Sequence, residues 1–313
     1  MDFGIWRELD FLVSVISWVK KSKTKYILII SGGGCNGELP THLIKEIERV
    51  SGKKCCDIFS MISGTSIGAI VGGLLSIGIP SQDCLQFFSD NAPVIFHREW
   101  YDFGLFSPKY KAGIIEGILK GKFGNKTLKD CKTKLLIPTF DLVSEDPFFF
   151  KSFDGKDYPL WVATRASSSA PLYFPAFKHD GHVFFDGGLF ANNPEVCALA
   201  EAVKLGWDLK DIKILSLGCG DVPAKDNPEQ YINCGALKNL IKVFSILFTG
   251  GTEDSDYQCK QILGDNYLSI NPKVKNPLGL DDTSPKALQQ RDELGREWVK
   301  NHFWQIEEFL NLK

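Results

Sequence analysis

Ser66 stands between two glycines in Gly64-Thr65-Ser66-Ile67-Gly68. An apolar run precedes it (Cys56, Ile58, Phe59, Met61, Ile62) and another follows (Ala69 to Leu75). That order predicts strand, sharp turn, helix, with Ser66 at the apex. Glycines belong there because the serine backbone is strained and neighbouring side chains would collide with it. Such a turn exposes the hydroxyl and aims the first amides of the next helix at it, where the positive end of the helix dipole favours negative charge. This is the layout of an acyl-transfer nucleophile. Glycine-serine turns also occur for packing alone, so the rest of the chain has to decide.

A second glycine cluster, Gly32-Gly33-Gly34-Cys35-Asn36-Gly37, fits G-x-G-x-x-G, follows the apolar run Tyr26 to Ile30 and opens a helix. Two readings compete. With Asp57, which lies 20 residues after Gly37, it has the context of a dinucleotide-binding loop whose acid holds the ribose. Alternatively its amides form an oxyanion hole, donating to the negative oxygen of a tetrahedral intermediate. Both the loop and Ser66 would then sit at the carboxyl ends of neighbouring parallel strands, where ligands of such sheets bind. A third site, Asp186-Gly187-Gly188, ends the short strand His182 to Phe185 and places a carboxylate at a strand end with open space beside it. The nucleotide reading leaves Ser66 and Asp186 unexplained, whereas acyl transfer uses all three sites.

These motifs, with Ala166-Ser167-Ser168-Ser169-Ala170-Pro171-Leu172-Tyr173-Phe174-Pro175 and Asn192-Asn193-Pro194, stand in the order seen in the patatin-like phospholipase family. The chain resembles that family from about Tyr26 to about Gly218. The resemblance implies an α/β fold, a patatin-like three-layer sandwich with a mostly parallel central sheet. It implies a Ser-Asp dyad with Ser66 as nucleophile and Asp186 as base. The oxyanion hole would come from Gly32, Gly33, Gly34, Cys35 and Gly37, the elbow from Gly64 and Gly68, and the DGG motif includes Gly187 and Gly188. It implies hydrolysis of fatty-acyl esters of membrane phospholipids or lysophospholipids, with no metal and no cofactor, by a cytoplasmic protein in transient contact with a membrane surface. The chain departs from the family at Ser31, where Asp is usual, and at Asn36, where Lys or Arg is usual. Ser31 can still hydrogen-bond within the loop. The Asn36 departure removes a positive charge near the oxyanion, and so keeps open a catalytically weak, lipid-binding protein beside the hydrolase and a dinucleotide-dependent oxidoreductase.

A carboxylate with the reference pKa of about 3.9 is a weak base for serine. An apolar site raises its proton affinity, and Phe174, Phe184, Phe185 and Phe190 are near in sequence to supply one. A Ser-acid-His order would require His302, which falls in the amphipathic segment Glu297 to Leu310 and reads as structural. His179 and His182 flank the turn Asp180-Gly181 without a metal motif. The serines at 167 to 169 have no glycine elbow and read as structural.

The elements needed to carry these sites follow from periodicity. Tyr26 to Ile30 is a continuous apolar run, as in a strand buried on both faces. Leu39 to Val50 is a helix, Cys56 to Ile62 a strand and Ile67 to Ile77 a helix, which makes a doubly wound α/β opening. Further helices are expected at Ser81 to Asp90 with Ser81 as N-cap, Pro108 to Lys120, Leu160 to Ser168, Pro194 to Leu205, 236–248, 252–263 and 285–311. Strands are expected at Leu135 to Asp141, Phe148 to Phe153 and Ile212 to Leu217, and loops at 91–106, 218–232 and 271–284. Residues 5–19 read as an apolar helix followed by lysines, packed on the domain or lying at a membrane interface. The organisation expected is 1–25 as apolar helix and basic linker, 26–220 as catalytic core, and 221–313 as a mainly helical part of the same domain.

The 313 residues are 44% hydrophobic and 24% charged, as in an ordinary folded domain. A net charge of −2 argues against a general nucleic-acid binder. Nine scattered cysteines without a CxxC pair suit reduced thiols. An unregulated membrane hydrolase would be toxic, which calls for a lid, an activating ligand or a regulatory partner. Val243 to Phe248 and the aromatic loop 91–106 are the segments to supply a lid.

Overall fold

The computed structural model describes residues 24–97, 107–221, 228–232, 234–235, 243, 246, 254–275 and 278–312. The helix expected at 5–19 lies outside them, as do residues 98–106 of the aromatic loop and most of 236–248.

The first strand shows why the fold has three layers. In β1 (Lys25–Ile30) the residues Ile27 to Ile30 have no solvent exposure. Side chains alternate across a strand. Leu28 and Ile30 therefore enter one core, shared with helix α1 (Glu38–Ser51), and Ile27 and Ile29 enter a second core on the opposite face. A run without polar alternation is what a doubly covered strand requires.

Eight strands form one sheet in the order β5-β6-β3-β2-β1-β7-β8, with β4 also paired to β3. They are β2 (Met61–Gly64), β3 (Lys134–Asp141), β4 (Asp146–Lys151), β5 (Phe177–His179), β6 (His182–Asp186), β7 (Ile212–Leu217) and β8 (Tyr267–Ile270). The pairs β1-β2, β1-β7, β2-β3 and β7-β8 are parallel, and β4, β5 and β6 form antiparallel pairs. The remaining principal helices are α2 (Ile67–Ser76), α3 (Ser81–Ile95), α4 (Ala112–Phe123), α5 (Leu160–Ser167), α6 (Glu195–Lys204) and α7 (Pro285–Leu310). Segment 254–263 is also helical. This is the expected mostly parallel sheet with helices on both faces.

Several boundaries differ from the sequence reading. Cys55–Ile58 is a helical turn, and β2 begins only at Met61. The Cys55 amide donates to Glu48 Oε1 at 2.8 Å, which turns the chain before it enters the sheet. Ser81 is the first residue of α3 rather than its cap, because its amide and hydroxyl both donate to Glu48 Oε2. Helix α3 runs through Pro93 to Ile95. Proline lacks the donor that an interior turn uses, but Ala92 and Ile95 are buried here and hold the last turn in place. Helix α4 starts late because the Lys109 and Tyr110 amides pair with Leu172 and Tyr173 carbonyls. Strands β5 and β8 were not anticipated, being only three and four residues long.

Candidate active site

Ser66 sits between β2 and α2 with φ 56° and ψ −122°, a left-handed backbone that few non-glycine residues adopt. The cost of such strain is about 1–3 kcal/mol, and it persists only when surrounding contacts over-determine it. Here they do. A Cβ on Gly64 would lie 2.2 Å from the Gly68 carbonyl oxygen, and one on Gly68 would lie 2.1 Å from that of Ile30. Thr65 Oγ1 donates to the Ala191 carbonyl at 2.6 Å. The Ser66 amide donates to Ser167 Oγ at 3.0 Å, and that hydroxyl donates to the Pro138 carbonyl at 2.7 Å.

Ser167 thus ties the elbow to the end of β3, which gives the structural reading of this serine its content. Ser167→Ala would strand two buried polar groups, at a cost of about 1–3 kcal/mol. We expect a lower melting temperature and a drop of about ten- to a hundredfold in kcat from the displaced elbow, read by melting curves and esterase kinetics.

Asp186 ends β6 opposite Thr139 and is fully buried. Its amide donates to the Ser169 carbonyl, and its Oδ1 accepts from the Gly188 amide at 2.8 Å. Burial pushes its carboxyl up to about 7, opposed by the Gly188 amide, the Ser66 hydroxyl and the Arg165 charge. Oδ2 has no partner meeting hydrogen-bond geometry. The Ser66 hydroxyl is therefore near enough to favour the carboxylate without closing a standard bond, as catalytic hydrogen bonds often are before substrate arrives. A Cβ on Gly187 would lie 2.3 Å from the Pro138 carbonyl. Pro138 thus packs against the Asp186 turn and accepts the bond that fixes Ser66. Of the four phenylalanines, Phe174 and Phe184 are buried. Phe190 instead packs on Phe140 and Phe149 and stays partly exposed.

The glycine loop lies against Ser66, since a Cβ on Gly32 would be 3.3 Å from that of Ser66. Its amides are not equivalent. The Gly32 amide donates to the Asn192 carbonyl at 3.0 Å and the Cys35 amide to the Leu280 carbonyl at 2.7 Å. Both of these amides are therefore already engaged within the protein. Gly37 serves packing instead, because a Cβ there would lie 2.8 Å from two carbons of Ile67. Among the described residues, the amides of Gly33 and Gly34 have no acceptor. Ile67 opens α2, so its amide has no acceptor within the helix either. Gly34 has φ +55°, and a Cβ there would strike the Leu280 carbonyl at 2.3 Å. Ser31 does not fix the loop through its side chain, since its buried Oγ has no partner.

Asp57 is exposed on the helical turn before β2, while the glycine loop follows β1. The two strands are parallel, so Asp57 and the loop sit at opposite edges of the sheet. A ribose-holding acid belongs at the loop's edge, and the dinucleotide geometry is not built. Among the described residues no histidine lines the cavity at Ser66. His179 and His182 flank a tight turn, with Asp180 and Gly181 at positive φ, and His182 Nδ1 contacts Asp141 Oδ2 at 2.8 Å. His302 lies on α7.

The cavity opens beside Ser66 and is mainly apolar, with Ile70, Phe87, Phe88, Ile95, Phe96 and Phe174 among its walls. Helix α3 supplies three of these six and Phe96 directly follows it, a contribution that only the packing of α3 near α2 reveals.

The patatin-like phospholipase family model matches residues 28–199. A cGAMP-activated phospholipase of Escherichia coli (strain TW11681) is 28% identical over 96% of this chain and 95% of its own length. Patatin-like protein 2 of Arabidopsis thaliana is 31% identical over 56% of the chain and 52% of its own length. The fold resembles that of VipD from Legionella pneumophila, with a TM-score of 0.53 and 12% identity over 92% of this chain and 67% of VipD. The matched stretch contains the glycine loop, the serine elbow and the Asp186 turn in one piece, and the chain belongs to the patatin-like phospholipase family.

Proposed function

We propose that this protein is a metal-independent lipid acyl hydrolase of phospholipase A or lysophospholipase type, working through Ser66 and Asp186. The observation that carries this reading is the pairing of a strained, left-handed Ser66 with a buried carboxylate whose Oδ2 is otherwise unpartnered. Ser66 Oγ attacks the ester carbonyl carbon, and its proton passes to Asp186. The carbonyl oxygen becomes an oxyanion and accepts from the Gly33 and Gly34 amides at the positive end of α2. Collapse breaks the bond to the lipid alcohol, which leaves with the proton from Asp186. Water, deprotonated by the same carboxylate, then attacks the acyl-enzyme and releases the fatty acid. The acyl chain lies along the apolar wall of α3.

Residues 26–220 supply the catalytic groups in this reading, and 221–313 belong to the same domain. Among the described residues no helix is long and apolar enough to cross a membrane. The protein would act on membrane lipid as a peripheral, cytoplasmic enzyme. Some relatives are named as cGAMP-activated, so cGAMP is the first activator to try.

The test is fatty-acid release from mixed phospholipid vesicles in EDTA, with and without cGAMP. Release would support the reading, and none under either condition would overturn it.

The pH dependence has a definite sign. Asp186 must be ionised to accept a proton, and its carboxyl is raised to about 7. kcat/KM should rise about tenfold per pH unit below 7 and level off above it. A profile flat from pH 5 to 8 would remove Asp186 as the base.

A further inference from the structure

Arg291, on α7, is fully buried. Its Nε donates to Asn36 Oδ1 at 2.9 Å, Nη1 to the Asp282 carbonyl at 2.6 Å and Nη2 to the Gly279 carbonyl at 2.8 Å. Among the described residues no carboxylate lies within ion-pair distance of it; neutral oxygens accept its hydrogen bonds, and the Glu38 and Asp282 carboxylates act on it from farther off. Burying a cation without a directly paired counter-ion is costly, and an apolar or amide side chain could fill the space without that cost. The charge acts on the glycine loop. Burial raises the Cys35 thiol and the Glu38 carboxyl, and Arg291 pulls both back down.

The contact also sets the loop's shape. Asn36 takes Arg291 on its oxygen and donates its Nδ2 to the Leu278 carbonyl. One residue earlier, the Cys35 amide donates to the Leu280 carbonyl. Segment 278–282 is therefore clasped between the glycine loop and Arg291. Its far side is fixed by Asp281, which pairs with Lys109 and accepts from Tyr110 Oη at 2.5 Å. Cys35 and Asn36 directly follow Gly33 and Gly34, the two residues with free amides. Their positions depend on this clasp.

We infer that Arg291 is the positioning cation of the oxyanion loop. It acts through Asn36 to hold the Gly33 and Gly34 amides and brings from α7 the positive charge that the loop lacks at position 36. This rests on the hydrolase reading above. It also extends the site past residue 220, because both Arg291 and Leu280 come from the C-terminal part.

The experiment uses the full chain, a soluble short-chain p-nitrophenyl ester and a fluorophosphonate that labels active serines. Arg291→Met should lower kcat about a hundredfold, with KM changed less than about threefold, because the lost effect belongs to the oxyanion. Arg291→Lys should retain at least a tenth of wild-type kcat. Asn36→Lys combined with Arg291→Met should exceed Arg291→Met alone by tenfold or more, because a cation returns to the loop. If Arg291→Met does not fold, Asn36→Ala, which removes the Nε bond and the Asn36 bond to Leu278 while leaving Arg291 in place, should lower kcat about tenfold. Activity within twofold of wild type in Arg291→Met, or in Asn36→Ala where that variant decides, overturns the inference. So does a loss that neither lysine variant repairs, which is the result for a purely structural clamp. A wild type that neither turns over ester nor takes up the fluorophosphonate fails the hydrolase reading itself, and the inference falls with it.

Discussion

Ser66→Ala should lower fatty-acid release at least about 10⁴-fold, the scale on which removal of an acyl-transfer nucleophile acts. The protein should melt within a few degrees of wild type, because the contacts that fix the elbow run through the Ser66 backbone and its neighbours, not through its hydroxyl. Asp186→Asn should lose activity on a similar scale for a different reason. The amide keeps an oxygen to accept from Gly188 but cannot take up the serine proton. The two variants separate in stability. In the folded protein the Asp186 carboxyl is raised to about 7 from its ordinary 3.8. Between those values the folded state keeps a proton that the unfolded chain has released, so stability falls as pH rises from about 4 to about 7. Above 7 the buried charge costs its full amount. Asp186→Asn should therefore melt a few degrees above wild type at pH 8 and close to it at pH 4, while Ser66→Ala shows no such gain. An Asp186→Asn protein that keeps a tenth of wild-type activity, or that melts lower at pH 8, would sink the assignment of Asp186 as a buried base.

Gly68→Ala is the second large effect. The new Cβ would lie 2.1 Å from the Ile30 carbonyl oxygen and 2.9 Å from that of Ser31, where β1 runs into the glycine loop. Both neighbours are backbone atoms fixed by the sheet, so neither can step aside. The expected cost is about 3 kcal/mol or more, with activity lost because α2 and the glycine loop are forced apart. Gly64→Ala should behave alike, since its Cβ meets the Gly68 carbonyl at 2.2 Å. Gly117 gives the contrast. It lies inside the exposed face of α4 with nothing within 4 Å of its Cβ position. Gly117→Ala should stabilise by up to about 1 kcal/mol, the ordinary helix preference. Thermal melts of the three variants decide the matter. Equal stability of Gly68→Ala and wild type would mean that the elbow is not packed as described.

Local sequence requirements set which residues are gathered and on what scaffold. Glycines at fixed offsets are a local requirement of a tight turn, so Gly64, Gly68 and Gly187 are legible without any knowledge of the fold. Burial of a strand on both faces is written as a continuous apolar run, which makes β1 and β7 readable from the sequence. The electrostatics came from long-range packing. Whether an amide is free or bonded depends on carbonyls far along the chain: Asn192 takes the Gly32 amide and Leu280 the Cys35 amide, and among the described residues no carbonyl takes those of Gly33 and Gly34. Asp57 fits a dinucleotide spacing in sequence, yet a helical turn places it at the wrong edge of the sheet. Asn36 reads as a missing charge until α7 brings Arg291 to it from 255 positions away. Such contacts leave no periodicity and no motif, because they are set by where two distant segments dock and not by the conformation of either one.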